Sequence, residues 1–106
     1  MSRWIEVAAL AEIPPGSMRE VIAGDRVVAL ANVEGQIFAI DGVCPHQGGP
    51  LGEGQLEGPI VTCPWHGWQF DVRSGQHCLS RTIIQPQFAV RVEGDSIFVD
   101  LGQEGG

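Results

Sequence analysis

Two short arms, Cys44-Pro45-His46 and Cys63-Pro64-Trp65-His66, constrain this chain more than any other feature. Each arm carries one thiol and one imidazole, a proline directly follows each cysteine, and sixteen residues separate His46 from Cys63. Soft sulfur and borderline nitrogen donors suit zinc and iron–sulfur clusters. A zinc finger usually draws two cysteines from one arm and two histidines from the other. Here both arms are mixed. A two-iron cluster with sulfur ligands on one iron and nitrogen ligands on the other takes one residue of each kind from each arm.

Around the arms the pattern is all-β. Short apolar-alternating runs are separated by turn signals, with no internal repeat and no low-complexity segment. Strands are predicted at residues 4–7, 17–23, 27–33 and 36–40, then at 60–62 and 69–72, and finally at 88–93 and 96–101. A single helical turn is predicted over 8–12. Glu34-Gly35 and Gly94-Asp95 read as hairpin turns. Fifteen Gly and seven Pro fit a turn-rich chain, and 106 residues make one domain. The expected architecture is an antiparallel β-sandwich or barrel base. A smaller cluster-binding subdomain, about residues 42–76, is inserted between its strands and runs at both ends directly into the base.

The formal charge is −7, with six Arg and no Lys. Nucleic acid and anionic membrane surfaces both call for a basic patch, so neither is an expected partner. The three cysteines, Cys44, Cys63 and Cys78, leave no spare pair for a disulfide once two serve a cluster, which fits a reducing, cytoplasmic compartment. The N-terminal residues lack the pattern of a signal peptide, and no stretch is long and apolar enough to span a bilayer.

The stretches C-P-H-Q-G-G-P-L-G-E-G from Cys44 and C-P-W-H-G-W-Q-F-D from Cys63 resemble the two cluster loops of the Rieske family. The Ser74-Gly75 turn and Pro86 are similar to that family's pattern as well. The resemblance implies the Rieske fold and one [2Fe–2S] cluster, with Cys44 and Cys63 on the inner iron and His46 and His66 on the outer one. It implies a free-standing ferredoxin rather than an enzyme. Such a carrier takes electrons from a flavin-dependent NAD(P)H reductase and passes them to a terminal oxygenase of aromatic-ring hydroxylation. At 106 residues there is no room for the mononuclear iron domain of an oxygenase. The small subunit of a nitrite-reductase-like complex and a structural zinc-binding interaction module are the alternative readings.

High-potential relatives brace the two loops with a second cysteine pair and set Ser and Tyr hydroxyls against the cluster sulfurs. At the corresponding positions this chain has Gly49 and Trp65 in place of the cysteines, Trp68 in place of the Ser and Phe70 in place of the Tyr, and it contains no Tyr at all. Fewer hydrogen bonds to sulfur imply a potential at the low end of the family range, about −150 mV. Gly48, Gly49, Gly52 and Gly54 are expected to allow tight loops and backbone approach to the cluster. Pro50 is expected to cover one side, Trp68 to pack, and Trp65 to shield the cluster or dock a partner. His77 is expected to be exposed and Cys78 to be a small buried hydrophobe. The docking tip is expected to comprise Gly48, Gly49, Pro50, Trp65 and the two ligand histidines, with Glu53 and Glu57 on its rim.

Overall fold

The computed structural model describes residues 2–45, 48–65 and 67–102. Ten strands make two antiparallel sheets among these residues. The larger is built from β1 (Trp4–Ala9), β2 (Met18–Ala23), β3 (Arg26–Val33), β4 (Gln36–Asp41), β9 (Gln87–Glu93) and β10 (Ser96–Asp100). Its order is β1-β10-β9-β4-β3-β2, and it curls into a nearly closed barrel. The smaller sheet runs in sequence order through β5 (Gln55–Glu57), β6 (Ile60–Thr62), β7 (Gln69–Asp71) and β8 (Gln76–His77). Two short 3-10 turns, Leu10–Glu12 and Leu51–Glu53, complete the described elements. No described helix is long and apolar enough to cross a membrane.

The turns form where the sequence supplies the required backbone. Between β3 and β4, Glu34 and Gly35 both take positive φ, 53° and 96°, which matches the right-handed twist of the flanking strands. At the other end of β4 the chain leaves the barrel and does not return until β9. Yet β4 and β9 are paired, Ala39 with Phe88 and Ile40 with Gln87, and the Asp41 N–H donates to the Pro86 carbonyl at 2.8 Å. The whole segment between them therefore hangs from one end of the barrel as a loop-out between neighbouring strands.

Two apolar cores explain why β3 reads as an almost unbroken apolar run. Val28 and Leu30 face the barrel interior with Ile13, Ile97, Val99 and Phe88. The alternate residues Ala29 and Ala31 face the other way and pack with Ile40 against Leu51, Val61, Phe70 and Val72 of the insert. Small alanines let the smaller sheet come close. Leu51, Val61, Phe70 and Val72 have no exposed surface, so the insert shares its core with the barrel wall and has none of its own.

The barrel's two ends of chain are tied by Asp100, which is fully buried. Its Oδ1 accepts the Arg3 N–H at 2.6 Å and the Gly102 N–H at 2.8 Å. The Arg3 N–H in particular holds this carboxyl below the usual carboxylate range. Asp71 on β7 is likewise held low, chiefly by the Arg73 guanidinium, with contacts of 3.0 and 2.7 Å. A carboxylate with a depressed folded-state pKa contributes stability above its unfolded value of about 3.9, and that contribution is lost as pH falls through the folded value. The urea midpoint should therefore stay level from pH 7 to about 5 and fall below about 4. Asp100→Asn, followed by the same titration, should blunt the acid fall.

Candidate metal centre

The two arms close in the same way. In the first, the Cys44 N–H donates to the Gly49 carbonyl at 2.9 Å. In the second, the Cys63 N–H donates to the Trp68 carbonyl at 2.8 Å. Each bond joins a cysteine to the residue five positions on. Each loop also needs a left-handed residue four positions after its cysteine, and both have glycine there, Gly48 at φ 75° and Gly67 at φ 73°. The motif thus has a mechanical reading: cysteine, proline, two loop residues, a left-handed glycine, then the carbonyl that closes the ring.

The roots of the arms are fixed by different elements. The first arm leaves β4 where the Gly42 N–H donates to the Val27 carbonyl and Asp41 Oδ1 accepts the Val43 N–H, each at 2.9 Å. It returns through a bridge between Val43 and Pro50 and a Leu51 N–H bond to the Gly42 carbonyl at 2.9 Å. The second arm caps the β6–β7 hairpin, whose last pair is Thr62 with Gln69. Gly54 abuts the Thr62 carbonyl so closely that no side chain fits, and a side chain at Gly52 would likewise clash with the Glu20 backbone. These glycines press the insert onto β2 and the first arm onto the second.

Cys44 and Cys63 are both buried, free and side by side, each with 2% of its surface exposed. Burial pushes the Cys63 thiol up. The Trp65 N–H aimed at its sulfur pulls the other way, and neighbouring Cys44 raises it again. The fit to a metal group rests on this pair and on Gly49. A Cβ at Gly49 would lie 2.8 Å from Cys63 Sγ and 3.0 Å from Trp65 Cβ. The glycine keeps the sulfur accessible to a bulky inorganic partner. It also brings positions 49 and 65 together, so that the Trp65 side chain rests on bare backbone. His46 and His66 lie outside the described residues. Among the described residues no group of three or more metal-ligating side chains forms, so the structure brings together the sulfur half of the expected ligand set.

Two expectations are corrected. His77 is buried, with 8% of its surface exposed, rather than exposed. Its Nδ1 accepts the N–H groups of Leu79 and Ser80 at 3.0 and 3.1 Å, and its ring stands edge-on to Trp68 and Phe70, with centroids 4.7 and 5.1 Å apart. Cys78 is exposed rather than buried. Alternation explains both: β8 turns His77 inward, so its neighbour points out. Trp68 packs as expected, half-buried against Phe70 and the shared core. Trp65 is 49% exposed.

Sequence reasoning missed Gln76 and Gln85, which fasten the segment between β8 and β9. Gln76 Nε2 donates to the Ser80 carbonyl at 2.6 Å. Gln85 is buried, and its Nε2 donates to the Asp41 and Val43 carbonyls at 2.9 and 2.8 Å, tying this segment to the root of the first arm. The Gly75 φ of 79° and its contact with the Gln85 carbonyl fix the same junction. Glutamine carries no sequence signal for burial, and only the preceding Ser74-Gly75 turn hinted that the chain closes here.

A barrel with a two-armed insert presenting paired buried cysteines defines a class of protein, and the chain belongs to it: the Rieske [2Fe-2S] domain family, whose profile matches residues 3–97. Membership brings the Rieske-type [2Fe–2S] cluster as cofactor. Within the family, the chain is 37% identical over 100 residues to the naphthalene 1,2-dioxygenase system ferredoxin component of Pseudomonas aeruginosa, covering 93% of this chain and 96% of that one. It is 34% identical over 102 residues to the biphenyl 2,3-dioxygenase ferredoxin component of Rhodococcus jostii (strain RHA1), covering 95% and 94%. Among solved structures, a complex of reduced oxygenase and oxidised ferredoxin in carbazole 1,9a-dioxygenase contains a chain 31% identical, with TM-score 0.86 over 97% of this chain and 96% of that one.

Proposed function

We propose that this chain is a one-electron carrier of a multicomponent dioxygenase system, with Cys44, His46, Cys63 and His66 as the cluster ligands. The observation that carries the reading is the pair of buried thiols at the roots of two arms with identical closure. The cluster, when bound, supplies the one-electron couple. The protein holds the two sulfurs side by side, shields them with the shared core and has no side chain at position 49 to press on the Cys63 sulfur. A flavin-dependent NAD(P)H reductase is the donor in this reading and a terminal oxygenase the acceptor. The similarity to ferredoxin components and the structure of a related ferredoxin with its oxygenase support it. With Cys44 and Cys63 given to the cluster, Cys78 has no second cysteine to pair with, which supports a reducing, cytoplasmic setting.

Single-turnover mixing tests the reading. The dithionite-reduced protein, freed of reductant and mixed with its terminal oxygenase, should regain its oxidised visible spectrum as the oxygenase is reduced. No transfer to the oxygenase would contradict it.

The potential follows from the same residues. No tyrosine hydroxyl exists to donate to the cluster, and Phe70 is fully buried in the shared core. The midpoint at neutral pH should be near about −150 mV by protein-film voltammetry. A midpoint well above zero would show that backbone donors such as the Trp65 N–H compensate.

A further inference from the structure

We propose that the groove between the second arm and the 79–83 segment seats an apolar side chain of the terminal oxygenase, with Leu79 as its anchor; this rests on the carrier reading above. The groove encloses about 390 Å³. Gly67, Trp68 and Gln69 line it from the second arm and β7, and His77, Leu79 and Ile83 from β8 and the segment after it. Gly67 directly follows the proposed ligand His66 in sequence, so the groove opens beside the second arm.

Three observations favour this occupant. First, Leu79 is 93% exposed, and the exposed apolar residues Val43, Trp65 and Ile84 also lie on the insert. Second, in a chain with thirteen acidic residues, none of the described residues lining the groove is acidic or an arginine. Exposed Glu53, Glu57 and Arg81 occur elsewhere on the insert. Depletion of charge at the centre is part of the anatomy of a protein–protein contact. Third, the Leu79 backbone is held. Its N–H and that of Ser80 both donate to His77 Nδ1, and the Ser80 carbonyl accepts from Gln76. Fixing the backbone under a solvent-exposed leucine lowers the ordering cost of using it as an anchor. The related ferredoxin seated on its oxygenase makes that component, rather than the reductase, the occupant argued here.

The test compares wild type, Leu79→Ser, Leu79→Met and Ile22→Ser as loaded holoproteins. Ile22 is an exposed apolar residue on barrel strand β2 and serves as the control. Leu79→Ser should raise the oxygenase KM for the carrier about tenfold. Iron content, midpoint potential and the rate of reduction by the reductase should not change. Leu79→Met should restore most of the affinity, and Ile22→Ser should match wild type. An unchanged KM in Leu79→Ser, with wild type transferring normally, would overturn the anchor and leave the carrier reading standing. A defect confined to the reductase step would overturn the choice of occupant. Failure of wild type to reduce the oxygenase at all would overturn both.

Discussion

Replacing Cys44 or Cys63 by alanine should take bound iron and acid-labile sulfide from about two each per chain to near zero. In the proposed assignment each thiolate supplies an inner ligand, and both cysteines are buried at 2% exposure, where water has little access to take the place of a lost one. His46→Ala and His66→Ala should likewise abolish the native spectrum, since each removes half of the nitrogen set. Cys78→Ser is the informative contrast. The Cys78 side chain is exposed and its backbone N–H donates to the Gln69 carbonyl at 2.9 Å, so full iron content should remain. Loss of the cluster in folded Cys78→Ser would break the four-ligand assignment. The readouts are metal analysis, acid-labile sulfide and the visible spectrum on the same samples.

Phe70→Ala should destabilise the protein by about 3–5 kcal/mol, the usual cost of emptying an aromatic site in a packed core. Phe70 has no exposed surface, pairs with Val61 and His77 across the small sheet, and lies with Trp68 and His77 in one aromatic group. The insert has no core of its own, so the loss should loosen the arms as well as the sheet. Urea unfolding of the holoprotein should show the shift, and cluster bleaching should track it closely. A loss below about 1 kcal/mol would mean that the barrel wall of Ala29, Ala31 and Ile40 holds the insert without it.

Much of this organisation was legible in the sequence because local chemistry decides it. The first four strands and the last hairpin follow from alternation punctuated by turn residues, and Glu34-Gly35 adopts the positive φ pair that a two-residue hairpin needs. The arms were legible because cysteine, proline and glycine each have a separate mechanical task there. What escaped was set by distant contacts. Gln55-Leu56-Glu57 and Gln76-His77 are too short and polar to read as strands, yet pairing to β6 and β7 makes them so. His77 looked like a surface residue until the Leu79 and Ser80 N–H groups satisfied its ring nitrogen and two aromatic rings enclosed it. Gln85 gave no sign that it would span from one loop to the root of another.

The central claim is a carrier that moves one electron on a two-iron centre. Coulometric reduction of the purified holoprotein, with iron, sulfide and zinc determined on the same sample, tests it most directly. The account predicts about two iron and two sulfide per chain, no stoichiometric zinc, and uptake of about one electron with bleaching of the visible bands. A colourless protein holding one zinc per chain and accepting no electron would contradict it.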